Sequence, residues 1–248
     1  MQRNIPYKTD QLARYFVRNR VKWDQFYESE RVIIEELKIE PHHSILDVGC
    51  GCGGLGLALR EKFGVKDYTG VEINPSAAEA GRSIYPEARI LSGDILDLSL
   101  GELRQMQFDV VFSLSCVDWN VRFEDSLAVA WSLVRPGGYF VATFRLTETE
   151  GCNDIARSFQ YINFDGVLEG ERASYVVNDA GSLIAHLRGF CPSEIRAFGY
   201  WGTPSATAVT PYERLCFAAF AIRKRIETTS SCRMDLMLPE EIRNLMES

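Results

Sequence analysis

Histidine is scarce in this chain, which has three in 248 residues. His42 and His43 stand just before the first predicted strand, at the end of the sheet where parallel α/β proteins do not bind ligands. His186 lies among apolar neighbours in a predicted helix at 180–188, so a packed or surface position is expected for it. A histidine general base is therefore not expected.

Dense basic clusters and long apolar runs are also missing. The net charge is -7 and the densest basic run is Arg223–Arg225, so nucleic acid is not expected as a partner. The longest apolar stretch, 215–222, falls short of the roughly 18 residues of a membrane span and instead predicts a central strand. No membrane association is expected from this pattern.

The seven cysteines form no disulfide framework, because their number is odd and their spacing is irregular. Together with the lack of a signal-peptide pattern, this predicts a reducing, cytoplasmic environment. Cys50 and Cys52 are too close together for the C-x-x-C geometry of metal or redox sites. They are interpreted as small turn residues, and no metal site is predicted.

The stretch I-L-D-V-G-C-G-C-G-G, residues 45–54, is the most informative part of the sequence. An apolar run ends in an acid and breaks into a glycine-rich turn, after which a helix is predicted. Gly49, Gly51 and Gly53 let the backbone turn tightly, so a ligand can approach the unpaired N–H groups at the helix start. The pattern predicts a nucleotide-sized site in which Asp47 accepts hydrogen bonds.

Two further acids follow predicted strands. Glu72 ends the segment 67–72, where such folds hold a ribose diol, and Asp94 lies just past the strand at 88–91, suited to an adenine amino group. Because ligands bind at the carboxyl ends of parallel strands, these acids are expected at the same edge of the sheet as the glycine turn. An adenosine-containing ligand is therefore expected.

The glycine spacing by itself leaves two cofactors open. Gly49, Gly51 and Gly54 also satisfy the G-x-G-x-x-G pattern of dinucleotide sites, so an NAD(P)-dependent oxidoreductase is the alternative. Asp47 weighs against it, because a carboxylate at this place repels a pyrophosphate and attracts a cationic amine. A predicted terminal hairpin, rather than a second domain, also weighs against it.

These motifs resemble those of the class I S-adenosylmethionine-dependent methyltransferases, a seven-stranded, Rossmann-like α/β family. The glycine motif falls on 47–53, the fourth strand on 108–115 and the turn into the fifth strand on 133–142. The resemblance implies S-adenosyl-L-methionine as the cofactor, with Asp47 near the methionine ammonium group. The cofactor-binding residues that it implies are Asp47, Gly49, Cys50, Gly51, Gly53, Glu72, Ile73, Asp94, Ile95, Ser115 and Cys116.

The predicted fold is α/β, with a doubly wound, mostly parallel seven-stranded sheet whose last strand is antiparallel. An N-terminal helical extension and an insertion after strand five complete a single methyltransferase domain. The resemblance implies that the extension lies across the mouth of the site. The expected segments are 1–40 (helical extension), 41–145 (cofactor-binding core), 146–192 (acceptor-side insertion), 193–227 (terminal strand pair) and 228–248 (tail).

Residues S-C-V-D-W-N, 115–120, follow strand four and carry the candidate chemistry. Methyl transfer mainly requires alignment of acceptor and methyl group and exclusion of water. Asp118 is the candidate base and Asn120 would orient the acceptor; alternatively, both cap the loop before the next helix. The sequence S-L-S-C at this place, without the Asp/Asn-Pro-Pro-aromatic motif, disfavours the family members that act on nucleic-acid amino groups or protein glutamine.

The acceptor wall is predicted from side chains that have no motif. They mix aromatic and polar groups, which favours a small polar acceptor methylated on oxygen or nitrogen; a sugar or polysaccharide precursor is the leading candidate. A catalytically silent regulator with the same fold is a further alternative, and the sequence does not decide between a monomer and a homodimer. The candidate acceptor-binding residues are Trp119, Arg145, Tyr161, Asn163, Tyr175 and Trp201.

Overall fold

A mixed sheet runs through the molecule, and helices cover both of its faces. The computed structural model describes residues 11–97, 101–120, 122–163, 166–226 and 231–247. The helices are α1 (Gln11–Phe16), α2 (Glu28–Glu36), α3 (Gly54–Phe63), α4 (Pro75–Ile84), α5 (Phe123–Ser132), α6 (Ala180–Gly189) and α7 (Glu240–Glu247). The strands are β1 (Ser44–Val48), β2 (Asp67–Glu72), β3 (Arg89–Ser92), β4 (Phe108–Ser113), β5 (Val134–Thr147), β6 (Phe159–Tyr161), β7 (Arg172–Ser174), β8 (Asn178–Asp179), β9 (Glu194–Gly202), β10 (Ala208–Val209), β11 (Leu215–Arg223) and β12 (Arg233–Met237).

The strand order agrees with the predicted fold. From edge to edge the sheet reads β12-β9-β11-β5-β4-β1-β2-β3, and β8 pairs with the end of β5. Strands β1 to β5 are parallel where they pair, whereas β11 runs antiparallel to both β5 and β9. The doubly wound, mostly parallel sheet with an antiparallel last strand is therefore confirmed, with β9 and β11 as the terminal strand pair. The described residues form nine strands in this sheet rather than the predicted seven, because β8 and β12 are added.

The segment 228–248 was predicted to be a tail, but its described residues, 231–247, contribute to the core. Arg233–Met237 forms β12, which pairs in parallel with β9 and extends the sheet by one strand. Helix α7 then packs on α6 and buries Ile242 and Met246 completely. In β12 only Leu236 is buried, so this edge strand carries almost none of the apolar alternation from which strands are predicted.

Side-chain alternation along the central strands divides the core into two layers. On β4, Val110 and Phe112 join the layer beneath α2, α3 and α4, while Val111 joins the layer beneath α5, α6 and α7. Successive residues of a strand face opposite sides, so the same strands support both layers. None of the described helices has the length and apolar character needed to cross a bilayer.

The sheet order reverses between β1 and β4, which leaves a crevice at the carboxyl ends of these strands. The turn after β1 passes through Gly49 and Gly51 with φ values of 76° and 55°, where residues other than glycine are strained. A Cβ on Gly49 would overlap Sγ of Cys116, which comes from the loop after β4. Because Gly49 has no Cβ, the loop after β1 and the loop after β4 can touch and form the floor of the crevice.

Segments outside the parallel core cover this crevice from two sides. At the N-terminal side the Phe16 ring lies over Gly51, and α2 packs on β9 and β11. At the other side the insertion forms a small antiparallel sheet, in the order β10-β6-β7. Strand β10 comes from the connection between β9 and β11, so the cover is built from three separate parts of the chain.

Candidate active site

A cavity of about 880 Å³ occupies the crevice at the carboxyl ends of β1, β2, β4 and β5, beneath α1. Most of the residues predicted from the sequence line it, on both the cofactor and the acceptor side. Gly53, Tyr161 and Trp201 do not. The predicted residues in the lining are Asp47, Gly49, Cys50, Gly51, Glu72, Ile73, Asp94, Ile95, Ser115, Cys116, Asp118, Trp119, Asn120, Arg145, Asn163 and Tyr175.

Asp47, near the end of β1, is buried under the glycine turn. Its Oδ2 accepts a hydrogen bond from the Tyr68 hydroxyl on β2 at 2.6 Å. Burial raises the pKa of Asp47 from 3.8 to about 7, while the Tyr68 bond and the charge of Arg20 oppose the rise. A buried carboxylate in this state is stabilised by an added cation, so the site favours a cationic ligand group.

Glu72, at the end of β2, is held in place by the backbone. Its two oxygens accept hydrogen bonds from the N–H groups of Gly51 and Asn74, both at 2.8 Å. Burial raises the pKa of Glu72, and these bonds oppose the rise. Each carboxylate oxygen keeps a further lone pair, so Glu72 can still accept the hydroxyls of a ribose.

Asp94 continues this row of acids one strand further along, in the turn after β3. Its Oδ1 accepts a hydrogen bond from the Leu96 N–H at 3.0 Å, which fixes the carboxylate at the edge of the cavity. Asp47, Glu72 and Asp94 thus follow three neighbouring strands in order. The row offers acceptors for three separate parts of an extended ligand.

Gly53 lies behind the turn rather than in the cavity, contrary to the prediction for it. It precedes α3 with a φ of 72°, and a Cβ there would face Ile90 and Tyr68 on the core side. Its contribution is therefore conformational, since the left-handed backbone favours glycine.

Cys50, in the same turn, is buried, and burial raises the pKa of its thiol. Both observations agree with its interpretation as a packed turn residue.

An ion pair between Asp118 and Arg145 forms the second polar group of the cavity. Oδ2 of Asp118 lies 3.1 Å from Nη1 of Arg145, which also donates to the Asp118 carbonyl oxygen at 2.9 Å. The guanidinium rests on the Tyr175 ring, 3.8 Å from its centroid. Burial raises the pKa of Asp118, whereas the charge of Arg145 lowers it. Both charges are therefore held almost out of solvent contact.

Asn120 is bonded to the start of α5. Its amide donates to Oγ of Ser126 at 2.7 Å, and its Oδ1 accepts from the Arg122 N–H at 2.9 Å. For Asn120 these bonds favour the capping alternative over orientation of the acceptor. Asp118 does not cap that helix, because its carboxylate faces Arg145, and its role as a base stays a prediction.

Strand register turns two of the predicted wall residues away from the cavity. Tyr161 and Trp201 lie outside the lining, and Trp201 lies under the Arg214 guanidinium, 4.2 Å from the ring centroid. Their neighbours Gln160 and Tyr200 line the cavity instead. Successive side chains on a strand point to opposite faces, so a one-residue uncertainty in register reverses the prediction.

The connections around the small sheet supply polar groups that the sequence did not single out. Gln160 donates to the hydroxyls of Ser205 and Thr207, each at 3.0 Å, and all three residues line the cavity. Asn163 also lines it, but its amide donates to two carbonyl oxygens of its own loop at 2.6 and 3.1 Å. The acceptor side of the cavity is thus rich in hydroxyl and amide groups.

Arg20 is the main charged residue of the cavity that the sequence analysis missed. Its backbone has a φ of 61°, and its Nη2 lies 2.9 Å from Oε1 of the buried Glu30. The guanidinium stacks over the rings of Phe26 and Tyr27, at 4.6 and 5.3 Å from their centroids. No motif in the sequence marks an arginine in this extension as part of a site.

The residues present fit S-adenosylmethionine along the three strand ends. Asp47 is placed for a methionine ammonium group, Glu72 for the ribose and Asp94 for the adenine amino group. A dinucleotide fits poorly, because its pyrophosphate would lie on the turn beside the buried carboxylates of Asp47 and Glu72. The fold is that of the class I S-adenosylmethionine-dependent methyltransferases, and the cavity fits their cofactor.

Comparison with known proteins agrees with this class. A family model described as a methyltransferase domain matches residues 45–138. The 18S rRNA (guanine(1575)-N(7))-methyltransferase of Saccharomyces cerevisiae is 29% identical over 149 residues, which cover 54% of this chain and 52% of that protein. The trans-aconitate 2-methyltransferase of Deinococcus radiodurans is 30% identical over 99 residues, which cover 40% and 36%. The chain thus spans about half, or less, of the length of these curated relatives.

A solved structure shows the same fold. The Burkholderia thailandensis 1,6-didemethyltoxoflavin-N1-methyltransferase, with bound 1,6-didemethyltoxoflavin and S-adenosylhomocysteine, has a TM-score of 0.51 and 16% identity, over 79% of this chain and 76% of that one. The chain thus has the fold of the class I S-adenosylmethionine-dependent methyltransferases, and its residues 45–138 match a methyltransferase domain. Since the yeast relative is named for ribosomal RNA, the prediction that nucleic acid is not a partner has no support from these relatives.

Proposed function

We propose that the chain transfers a methyl group from S-adenosyl-L-methionine to an oxygen or nitrogen of a small polar molecule, with a sugar or polysaccharide precursor as the leading candidate. The observation that carries this proposal is the cavity, in which the cofactor-side carboxylates and the Asp118–Arg145 pair line one space. Its volume of about 880 Å³ lies toward the upper end of the roughly 300–1,000 Å³ typical of ligand pockets. That volume suits a cofactor and a small acceptor side by side.

In this proposal the protein binds the cofactor and the acceptor, aligns them and excludes water from the site. Asp47 holds the ammonium group, Glu72 accepts the ribose hydroxyls, and Phe16 covers the glycine turn and excludes water. The cofactor, when bound, supplies a methyl group on a positively charged sulfur. The neighbouring thiols of Cys50 and Cys116 stay neutral, because burial raises the pKa of each, so no covalent intermediate on the protein is invoked.

Charge pairing in the cavity favours a small molecule over RNA. Arg20 is paired with Glu30 and Arg145 with Asp118, so the two arginines in the described lining are already neutralised. A nucleic-acid site requires cations that face phosphates.

We also propose that the extension, the core, the insertion and the terminal strands form one domain. The sheet that they share and the cover built from separate parts of the chain support this proposal.

Calorimetric titration with S-adenosylhomocysteine and with NADH tests the cofactor side. We expect the first to bind and the second not to bind. Asp47→Ala and Glu72→Ala are each expected to weaken S-adenosylhomocysteine binding by roughly 1–3 kcal/mol, because each removes a charged hydrogen-bond partner. NADH binding without S-adenosylhomocysteine binding would overturn the proposal in favour of the oxidoreductase alternative.

The transfer itself is tested by measuring S-adenosylhomocysteine formation from S-adenosylmethionine with panels of hydroxylated and amino-substituted metabolites. We expect formation that depends on the acceptor. A protein that binds the cofactor and forms no product with small molecules or with RNA would instead be the silent regulator.

A further inference from the structure

One oxygen of the Asp118 carboxylate is left without a partner at the acceptor end of the cavity. Oδ2 is paired with Arg145, but Oδ1 is buried and has no hydrogen-bond donor among the described residues. Asp118 is 3% exposed and lines the cavity. Because buried carboxylate oxygens are rarely left unsatisfied, this atom is suited to receive a donor from a ligand.

Arg145 determines which charge that ligand can carry. Its positive charge is matched by Asp118, and its guanidinium is packed on the Tyr175 ring, so the pair is close to neutral as a whole. A charged ligand group of either sign would leave this neutral pair with a net charge in a poorly solvated place, which costs free energy. A neutral donor group is therefore the one that fits beside Oδ1.

The wall formed by the small sheet and its connections extends the same chemistry. Gln160, Ser205 and Thr207 line the cavity and carry no charge. Their hydroxyl and amide groups both donate and accept hydrogen bonds. Such a wall suits a molecule that presents several hydroxyl groups rather than one.

We propose that the acceptor is an electrically neutral, polyhydroxylated molecule whose reacting hydroxyl donates to Oδ1 of Asp118. This inference rests on the proposed function and narrows its acceptor class. The acceptor oxygen forms its bond to the methyl carbon as the carbon–sulfur bond breaks, with the electron pair remaining on sulfur. The hydroxyl proton passes to Oδ1 and then to solvent, so charge and protons balance. Arg145 is a positioning residue that holds the carboxylate in place, and its charge lowers the pKa of Asp118.

Two sets of variants test these assignments. Asp118→Asn keeps the shape of the side chain but cannot take the proton, so turnover is expected to fall roughly a hundredfold or more while S-adenosylhomocysteine affinity stays within about twofold. The matched control is Asp125→Asn, which changes an exposed acid paired with Arg122 on α5 and is expected to keep wild-type turnover. Wild-type turnover in Asp118→Asn would overturn the assignment.

Arg145 variants provide a second readout, which does not depend on the folding of Asp118→Asn. The charged groups that act on Asp118 are Arg145 and Glu30, and Tyr175 packs against the Arg145 guanidinium. Arg145→Gln removes the counter-charge, so the rising limb of the pH–turnover profile should move to higher pH, and Arg145→Lys should restore part of the shift. An unmoved profile in Arg145→Gln would contradict the positioning role.

The acceptor class is tested with S-adenosylmethionine carrying a radiolabelled methyl group. The full chain is incubated with a small-molecule extract of the cells that make it, separated into neutral, anionic and cationic fractions, and in parallel with their total RNA. We expect the neutral fraction to take up at least about tenfold more label than the others, because charged molecules bind poorly beside the buried Asp118–Arg145 pair. Label mainly in another fraction or in RNA would overturn this inference and leave methyl transfer standing. Label in none of them would contradict both proposals.

Discussion

In the proposed cofactor site, Asp47 couples the charge of the protein to the charge of the ligand. Its pKa in the folded protein is about 7, above the ordinary value of 3.8. Ionising it therefore lowers the stability of the free protein as the pH rises from about 4 to about 7, with no further loss above that range. A bound ammonium group beside the carboxylate opposes this loss, so cofactor binding and ionisation of Asp47 are linked.

We expect S-adenosylhomocysteine to bind more tightly as the pH rises from about 5.5 to about 7.5, by up to about tenfold per pH unit, and its affinity then to level off. The groups that act on Asp47 are Tyr68, Arg20, Glu72 and Glu30. Asp47→Asn removes the titrating carboxylate and should flatten the profile. Calorimetric dissociation constants measured across this pH range provide the check.

Tyr68 offers a finer version of this experiment. Tyr68→Phe removes the hydrogen bond that lowers the pKa of Asp47, so the affinity profile should move to higher pH. Tyr85→Phe removes the hydroxyl of the ring stacked on Tyr68 at 5.8 Å, and Asp67→Asn removes an exposed acid at the start of β2. Both controls should keep the wild-type profile. An unshifted profile in Tyr68→Phe would show that its hydroxyl does not tune Asp47.

The sequence predicts the positions of strand-end residues well and those of the cover poorly. Asp47, Glu72 and Asp94 could be placed because each follows a short apolar run that is typical of a parallel strand. Arg20 could not, since its place depends on how the extension folds on itself and brings Arg20 against Glu30 and Phe26. That arrangement is a tertiary property that leaves no periodic pattern in the sequence.

At the scale of elements, β12 and α7 show why polar segments are easily underestimated. Helix α7 at Glu240–Glu247 is mostly polar but buries Ile242 and Met246. The strand before it buries one side chain, Leu236, and is otherwise partly or fully exposed. Edge strands need few apolar residues, because their backbone bonds to one neighbour and much of their surface faces solvent. The two elements together close one end of the sheet.

Substitutions in α7 test whether it belongs to the core. Ile242→Ala and Met246→Ala remove completely buried side chains, so each should lower the free energy of unfolding by roughly 2–5 kcal/mol. Asn244→Ala changes an exposed position of the same helix and should alter it by less than about 0.5 kcal/mol. Urea denaturation followed by circular dichroism measures all three. Equal stabilities for the three variants would mean that the helix is not part of the cooperative unit.

For the molecule as a whole, the cofactor site joins parts of the chain that are distant in sequence. The parallel strands hold the carboxylates, while the N-terminal extension contributes Phe16 and Arg20 to the same cavity. The insertion and the β9–β11 connection add Gln160 and Thr207 on the acceptor side. Ligand binding therefore stabilises contacts between the core and its cover, not the core alone.

Hydrogen exchange with and without S-adenosylhomocysteine measures this coupling. At about one hundred times the dissociation constant, the ligand should raise the free energy of unfolding by about 2.7 kcal/mol. Exchange should slow across residues 11–37 as well as in the glycine turn, because the extension covers the site. Helix α7, which contributes no residue to the cavity lining, serves as the internal control. Slowing confined to residues 49–54 would show that the extension does not respond to the ligand.

The position of β11 also affects how the protein folds. It lies between β5 and β9 in the sheet but follows both in the chain, and its residues pair with Tyr139–Leu146 on one side and Glu194–Gly202 on the other. Contacts between residues far apart in sequence form slowly, and an unpaired strand edge attracts other chains. A polypeptide emerging from the ribosome therefore exposes the unpaired edge of β5 until residue 223 has been made. The sooner β11 pairs with β5, the less time this edge has to bind other chains.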